Sequence, residues 1–195
     1  MIGIIDYDAG NVRSVGNALE RLQTPFFVSK KISDLNKAQK LILPGVGEAQ
    51  SAMKSLGQSG LVKWLKTVSV PFLGICIGMQ ILFDHSDEGE TPCLSVVAGR
   101  VQRFDANQVK IPHMGWNRTA IRRTNPLFHN ITDGEYFYFV HSFRAPVVES
   151  TLAVTEYGCD FSAAVGQGNY YGVQFHVEKS GNAGLQILRN FIELC

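Results

Sequence analysis

Three side chains in this sequence carry the chemistry of a thiol hydrolase: Cys76, His176 and Glu178. Cys76 is centred in Gly74-Ile75-Cys76-Ile77-Gly78, between an apolar Pro71-Phe72-Leu73 and a following Met79-Gln80. A strand that passes through a glycine-flanked nucleophile into a helix is a nucleophile elbow, because the turn is sharp, neighbouring backbone comes close and the nucleophile sits in strained φ/ψ. Such a turn holds the thiol at the carboxyl edge of a sheet, beside the next N–H and a helix N-terminus. Both favour a thiolate and any oxyanion formed from its substrate. Taken alone, the segment reads equally as a glycine-rich turn that buries a small cysteine.

The partner groups come from Tyr170 to Glu178. Strand alternation puts Tyr171, Val173 and Phe175 on one side and Gln174, His176 and Glu178 on the other. An imidazole and a carboxylate are thus expected on one face at a strand end. In a thiol hydrolase the imidazole takes the cysteine's proton and later gives it to the leaving amine, while a carboxylate holds the tautomer that permits this. Without the elbow, the same residues would read as a half-buried histidine beside a solvated glutamate.

The elements that must position these groups follow an α/β pattern. Ile2 to Ile5 reads as a strand ending at Asp6, followed by a turn cluster from Tyr7 to Asn11. Val12, Val15, Leu19 and Leu22 predict a helix from about Asn11 to Gln23, capped by Asn11 or Gly10. Phe26 to Ser29 and Lys40 to Leu43 predict further strands, so the first half is a β-α-β arrangement with a parallel sheet and right-handed crossovers. Pro44-Gly45-Val46-Gly47 follows the third strand; its glycines let N–H groups point into a site, although Pro-Gly is also a common turn. Glu48 to Gly57 and Leu61 to Val68 read as helical pieces broken at Gly57 and Gly60. Met79, Ile81, Leu82 and Phe83 predict a helix lasting to the turn at Ser86 to Gly89. From Val96 the texture changes to short strands: Gly99 to Phe104, Trp116 to Arg122, Glu135 to Val140, Leu152 to Tyr157 and Tyr170 to Phe175. These predict an antiparallel layer completing a mixed sheet. Leu185, Leu188, Ile192 and Cys195 mark a closing helix packed on the core.

Composition bounds the class. The chain has 195 residues, 45% hydrophobic and 18% charged, with a net charge of +1. That suits one globular domain over residues 1–195 and gives no footprint for nucleic acid or a membrane surface. Cys76, Cys93, Cys159 and Cys195 are scattered, without metal-ligand spacing, so neither a metal nor a disulfide framework is expected. The amino end has no signal-peptide pattern and no run reaches membrane-spanning length, which reads as a cytoplasmic protein.

The combination of Pro44-Gly45-Val46-Gly47, Gly74 to Gln80 and Gln174 to Glu178 resembles the triad (class I) glutamine amidotransferases. Asp6 to Asn11, Ile111-Pro112-His113-Met114-Gly115-Trp116-Asn117, Tyr136 to Phe143 and Glu178 to Gly181 bring it closer to one family among them, the glutaminase subunits of imidazole glycerol phosphate synthase in histidine biosynthesis. The resemblance covers essentially the whole chain, and Pro112 to Asn117 is its most specific part, although spacing alone leaves open that this stretch is only a turn planting Trp116 in the core. It implies a flavodoxin-like α/β fold, hydrolysis of L-glutamine without a cofactor, and delivery of ammonia to a (β/α)8-barrel cyclase. The cyclase step is outside this chain, which has no phosphate-cradling G-x-G-x-x-G or P-loop.

By the same resemblance, Cys76 forms a γ-glutamyl thioester, His176 is general acid and base, and Glu178 orients it. Ile77 and the Val46-Gly47 segment supply the oxyanion hole. Gln80, Glu88, Ser142 and Phe143 match substrate contacts, and Asn11, Ser14, Met114, Trp116, Tyr138 and Lys179 match the docking face. One departure is visible. Val177 stands where the family has proline, which relaxes a backbone constraint and removes no catalytic atom. Val46 between Gly45 and Gly47, where many constitutively active relatives have adjacent glycines, leads us to expect an oxyanion loop at rest in the unproductive orientation. Three other readings stay open on residues alone: a glutaminase subunit of another synthase such as anthranilate synthase or a surface-sugar amidotransferase, a cysteine peptidase or deglycase-like enzyme, and a non-catalytic binding module.

Overall fold

The apolar runs of the first half form four parallel strands in the computed structural model, which describes residues 1–8 and 11–195. They are β1 (Ile2–Ile5), β2 (Phe26–Ser29), β3 (Lys40–Leu43) and β4 (Phe72–Ile75), side by side in the order β2-β1-β3-β4. Buried on both faces by helices, such strands read as continuous apolar runs, and every residue of β1 and β4 is buried. The crossovers carry α1 (Val12–Arg21), α2 (Ile32–Leu35), α3 (Ala49–Gln58) and α4 (Leu61–Leu65). Asn11 caps α1 by accepting the Ser14 N–H at 3.3 Å; Gly10, the other candidate cap, lies outside the described residues. Gly57 does not break α3, which runs through it, and the break is made at Gly60 with φ +70°.

The elbow helix is shorter than its periodicity suggests. α5 spans only Ile77–Gln80, not the stretch to Ser86. The carbonyls of Ile81, Leu82 and Phe83 accept N–H groups from Leu94 to Val97 instead of continuing a helical ladder. A one-turn helix also has little macrodipole, so the expected help from a helix N-terminus is small.

The second half completes a mixed sheet, as its short strands predict. β13 (Tyr170–Val173) pairs in parallel with β4, and β12 (Asp160–Gln167), β11 (Thr151–Glu156), β8 (His113–Ile121) and β9 (Glu135–His141) continue antiparallel to give nine strands. A second, small sheet has the order β10-β7-β5-β6 and is made of β5 (His85–Ser86), β6 (Thr91–Pro92), β7 (Arg100–Arg103) and β10 (Phe143–Arg144). β12 was not anticipated, because Ser162-Ala163-Ala164 has weak strand propensity. Nor is Pro112 to Asn117 a turn that plants Trp116 in the core. It leads into β8, with His113 buried and Met114 and Trp116 63% and 55% exposed.

The sheet curls until its edge strand β9 returns to the end of β13, where Phe137 stacks on Phe175 at 4.0 Å. α6 (Gly181–Leu194) closes the fold. Its buried face centres on Gly184, Ile187, Leu188 and Phe191, with the expected Leu185 and Ile192 at its margin.

Candidate active site

Cys76 lies between β4 and α5 at φ +54°, ψ −109°, a conformation that non-glycine residues occupy only when the surroundings impose it. Two glycines supply the imposition. A Cβ on Gly78 would collide with the Leu43 carbonyl, and one on Gly45 would lie 2.6 Å from Gly78 N, so the loop after β3 and the elbow fit together only without side chains there. The thiol ends up at the carboxyl ends of β3, β4 and β13, where open α/β sheets build their sites.

His176 and Glu178 do not reach this point by strand alternation, since β13 stops at Val173 and Val177–Lys179 is a 3-10 turn. The turn folds Glu178 back on its neighbour, and His176 Nδ1 meets Glu178 Oε1 at 2.8 Å. Their side chains are 2% and 1% exposed, so the glutamate is not the solvated charge its sequence position allowed. With Nδ1 engaged, Nε2 is the nitrogen left for Cys76. Burial opposes charging His176, but hydrogen bonding to Cys76 and Glu178, together with their charges, outweighs it and holds the imidazole up at about 9. An imidazolium placed this way stabilises a thiolate.

The pocket in front of these groups measures about 320 Å³ and is lined by Cys76, His176, Val46, Gly47, Ile77, Gln80, Glu88, Ser142 and Phe143 among others. Thus Cys76, His176 and the residues expected at the oxyanion hole and the substrate contacts border one cavity, while Glu178 stands behind His176, out of the lining. Ile77 is the first residue of α5, so its N–H has no helical acceptor. In the loop after β3, expected to supply an oxyanion donor, Gly47 takes the positive φ, at +93°, and Val46 does not.

Two of the lining side chains, Gln80 and Glu88, carry hydrogen-bond acceptors. Gln80 Nε2 donates to the Phe143 carbonyl at 3.0 Å and to Gln174 Oε1 at 2.9 Å, while its buried Oε1 has no partner among the described residues. Glu88 Oε2 accepts the Ala49 N–H at 2.7 Å, and burial, only partly offset by that bond, raises its carboxyl.

Sequence reasoning missed two residues. Gln174, fully buried, donates from Nε2 towards Cys76 Sγ at 3.7 Å; its place on the His176 face was the only signal. Tyr7 is also fully buried, and burial, with the Cys76 charge nearby, pushes its phenol up. The expected docking residues fall in two groups. Trp116 meets Tyr138 edge-on at 6.1 Å, and Lys179 Nζ lies 5.8 Å from the Tyr138 ring centre, beside exposed Met114. Asn11 instead touches the triad, its Nδ2 lying 3.5 Å from Glu178 Oε1, with Ser14 one turn along α1. Among the described residues, no His, Cys, Asp and Glu cluster suits a metal, and no helix is long and apolar enough to cross a membrane.

Residues 4–194 match the family model described as glutamine amidotransferase class-I. The chain is 48% identical over 197 residues to imidazole glycerol phosphate synthase subunit HisH 1 of Vibrio vulnificus (strain YJ016), covering 98% of this chain and 97% of that one. It is 45% identical over 196 residues to imidazole glycerol phosphate synthase subunit HisH of Bacteroides thetaiotaomicron, covering 99% of each. Among solved structures, one described as a glutamine amidotransferase aligns at a TM-score of 0.76 with 21% identity over 99% of this chain and 97% of that chain. The structure of PurLQS from Thermotoga maritima aligns at 0.74 with 16% identity over 98% and 96%. The two structural likenesses speak to the fold.

Proposed function

Because the chain belongs to the class-I glutamine amidotransferase family, we propose that its pocket hydrolyses the side-chain amide of L-glutamine with Cys76 as nucleophile, His176 as acid and base, and Glu178 as orienting carboxylate. It is the glutamine amidotransferase subunit of imidazole glycerol phosphate synthase, acting in histidine biosynthesis. The observation that carries the site assignment is the buried 2.8 Å contact of His176 Nδ1 with Glu178 Oε1, which turns Nε2 to the strained cysteine of the elbow.

Cys76 Sγ, its proton already held on His176 Nε2, attacks the δ-carbon of glutamine as a thiolate. The negative charge on the carbonyl oxygen is met by the Ile77 N–H and an N–H of Val46-Gly47. His176 returns the proton to the amide nitrogen, ammonia leaves and a γ-glutamyl thioester remains. Water, deprotonated by His176, then releases glutamate and the thiol. Gln80 Oε1 and Glu88 are acceptors suited to the substrate's ammonium group, and the Ser142-Phe143 backbone forms the facing wall.

In this reading residues 1–195 are one glutaminase domain in the cytoplasm. Its partner is a (β/α)8-barrel cyclase that consumes the ammonia, docked over Asn11, Ser14, Met114, Trp116, Tyr138 and Lys179. Support for that surface comes from its exposed aromatic and thioether side chains, which are enriched at interface centres. The test is to mix the chain with the cyclase and measure glutamate release with and without the nucleotide substrate. Absence of glutamate under every condition would refute the assignment.

A further inference from the structure

On the inner face of the β8–β9 pair, His113 and His141 stand opposite each other, outside the triad. Their nitrogens meet, His113 Nδ1 to His141 Nε2 at 3.0 Å. Aromatic rings enclose them. His113 stacks on Tyr157 at 4.1 Å and on Phe139 at 5.0 Å, and Phe104 and Phe161 pack against both imidazoles. Burial holds His113 down at about 4 and His141 at about 3, so both rings are neutral at pH 7. A neutral imidazole has one donor and one acceptor.

Asn117 decides which nitrogen is which. Its Nδ2 donates to the Glu156 carbonyl at 2.9 Å, fixing the amide orientation, and the same nitrogen lies 3.2 Å from His113 Nε2. That ring nitrogen is therefore the acceptor, and His113 carries its proton on Nδ1. It donates to His141 Nε2, which leaves the His141 proton on Nδ1, 2.7 Å from the Phe143 carbonyl. All the donors point one way, from β8 to the pocket wall. The Phe143 carbonyl also accepts Gln80 Nε2, whose second hydrogen goes to Gln174, and Gln174 Nε2 points at Cys76 Sγ.

We propose that Asn117, His113 and His141 are positioning residues for glutamine: a one-directional hydrogen-bond relay that anchors the Phe143 carbonyl and thereby forces Gln80 to present its oxygen to the substrate. The inference rests on the glutamine-hydrolase reading above. The reasoning turns on the Gln80 amide. With both Nε2 hydrogens held by acceptors, Oε1, buried and without a partner among the described residues, is the acceptor the amide keeps free for a substrate donor. Were His141 to carry its proton on Nε2, its Nδ1 lone pair would face the Phe143 carbonyl and repel it, and the amide of Gln80 would lose one of its two anchors.

The test uses the complex with its cyclase and nucleotide. His113→Phe keeps the stacked ring and removes both nitrogens; His113→Asn restores an N–H towards His141. We expect His113→Phe to raise the KM for glutamine roughly tenfold or more with kcat within about threefold, the pattern of lost uniform binding. His113→Asn should bring KM back to within about threefold of wild type. A wild-type KM in His113→Phe, a loss confined to kcat, or an equal rise in both variants overturns the relay. Nitrogen-15 spectra of the wild-type imidazoles give an independent readout that needs neither turnover nor a folded variant. Both rings should be Nδ1–H tautomers at pH 7, and an Nε2–H tautomer or an imidazolium at His141 overturns the proposal. If the wild-type complex releases no glutamate, the functional reading fails, and the spectra still decide the relay.

Discussion

The carbonyl of Tyr138 accepts the backbone N–H of His176 at 2.9 Å. Ser180 Oγ ties the same two residues from the other side, accepting the Tyr138 N–H at 2.9 Å and donating to the His176 carbonyl at 2.7 Å. The Tyr138 ring meanwhile lies against Trp116 and Lys179 at the surface. The exposed patch and His176 therefore share one stretch of backbone, and whatever settles on the patch bears on the segment that carries His176.

The patch itself can be tested by truncation. Trp116→Ala should weaken association with the cyclase by roughly 30-fold or more, as for a central aromatic anchor worth about 2 kcal/mol. An unchanged Kd by calorimetry would take Trp116 out of the interface.

Cys76→Ala should abolish glutamine-dependent synthesis by the complex while leaving synthesis from added ammonium salts in place. The proposed function puts the ammonia-consuming site on the partner. Parallel loss of both activities would refute that division of labour.

Within the triad, His176→Ala should cost about as much as losing the cysteine, because members of a catalytic unit are strongly non-additive. Glu178→Gln should cost less, roughly 10²–10⁴ in turnover, on the scale of acid–base groups. Turnover equal to wild type in Glu178→Gln would remove that residue from the mechanism.

His176 also links stability to pH. Its folded value, about 9, is above the usual 6.5, because hydrogen bonds and charge from Cys76 and Glu178 outweigh the burial that opposes them. A raised value means that the contribution is fully present below about 6.5 and is lost as pH climbs through about 9. The stability advantage of wild type over His176→Gln, measured by urea unfolding, should shrink between pH 6.5 and 9.5; an advantage that grows would contradict the pairing.

The oxyanion loop leads to a rate prediction. Gly47 has the positive φ and Val46 does not, and a β-branched residue resists adopting one. We expect the free chain to be a poor glutaminase, short of one oxyanion donor and so slower by roughly 10²–10³. Docking and then nucleotide must favour the productive loop by a comparable free energy. Glutamate release should rise stepwise from the chain alone, to the complex, to the complex with nucleotide, and Val46→Gly should raise the first rate. Equal rates in the three states would end the gating idea without touching the triad.

What the sequence determined by itself is local. The elbow was legible because glycines at 74 and 78 around an apolar strand signal a tight turn within five residues, and His176 and Glu178 are two positions apart. The parallel strands β1 to β4 were legible because burial on both faces demands unbroken apolar runs. Tertiary structure decided whatever depends on partners distant in the chain. α5 stops after one turn because Leu94 to Val97 claim the carbonyls of Ile81 to Phe83 that follow it, and β12 forms despite weak propensity because β11 and β13 flank it. The curl of the sheet brings Tyr138 to His176, and the register of β8 on β9 sets His113 against His141. Neither contact leaves a trace in periodicity, because hydrogen-bond direction and burial are properties of the packed neighbours, which only the folded chain assembles.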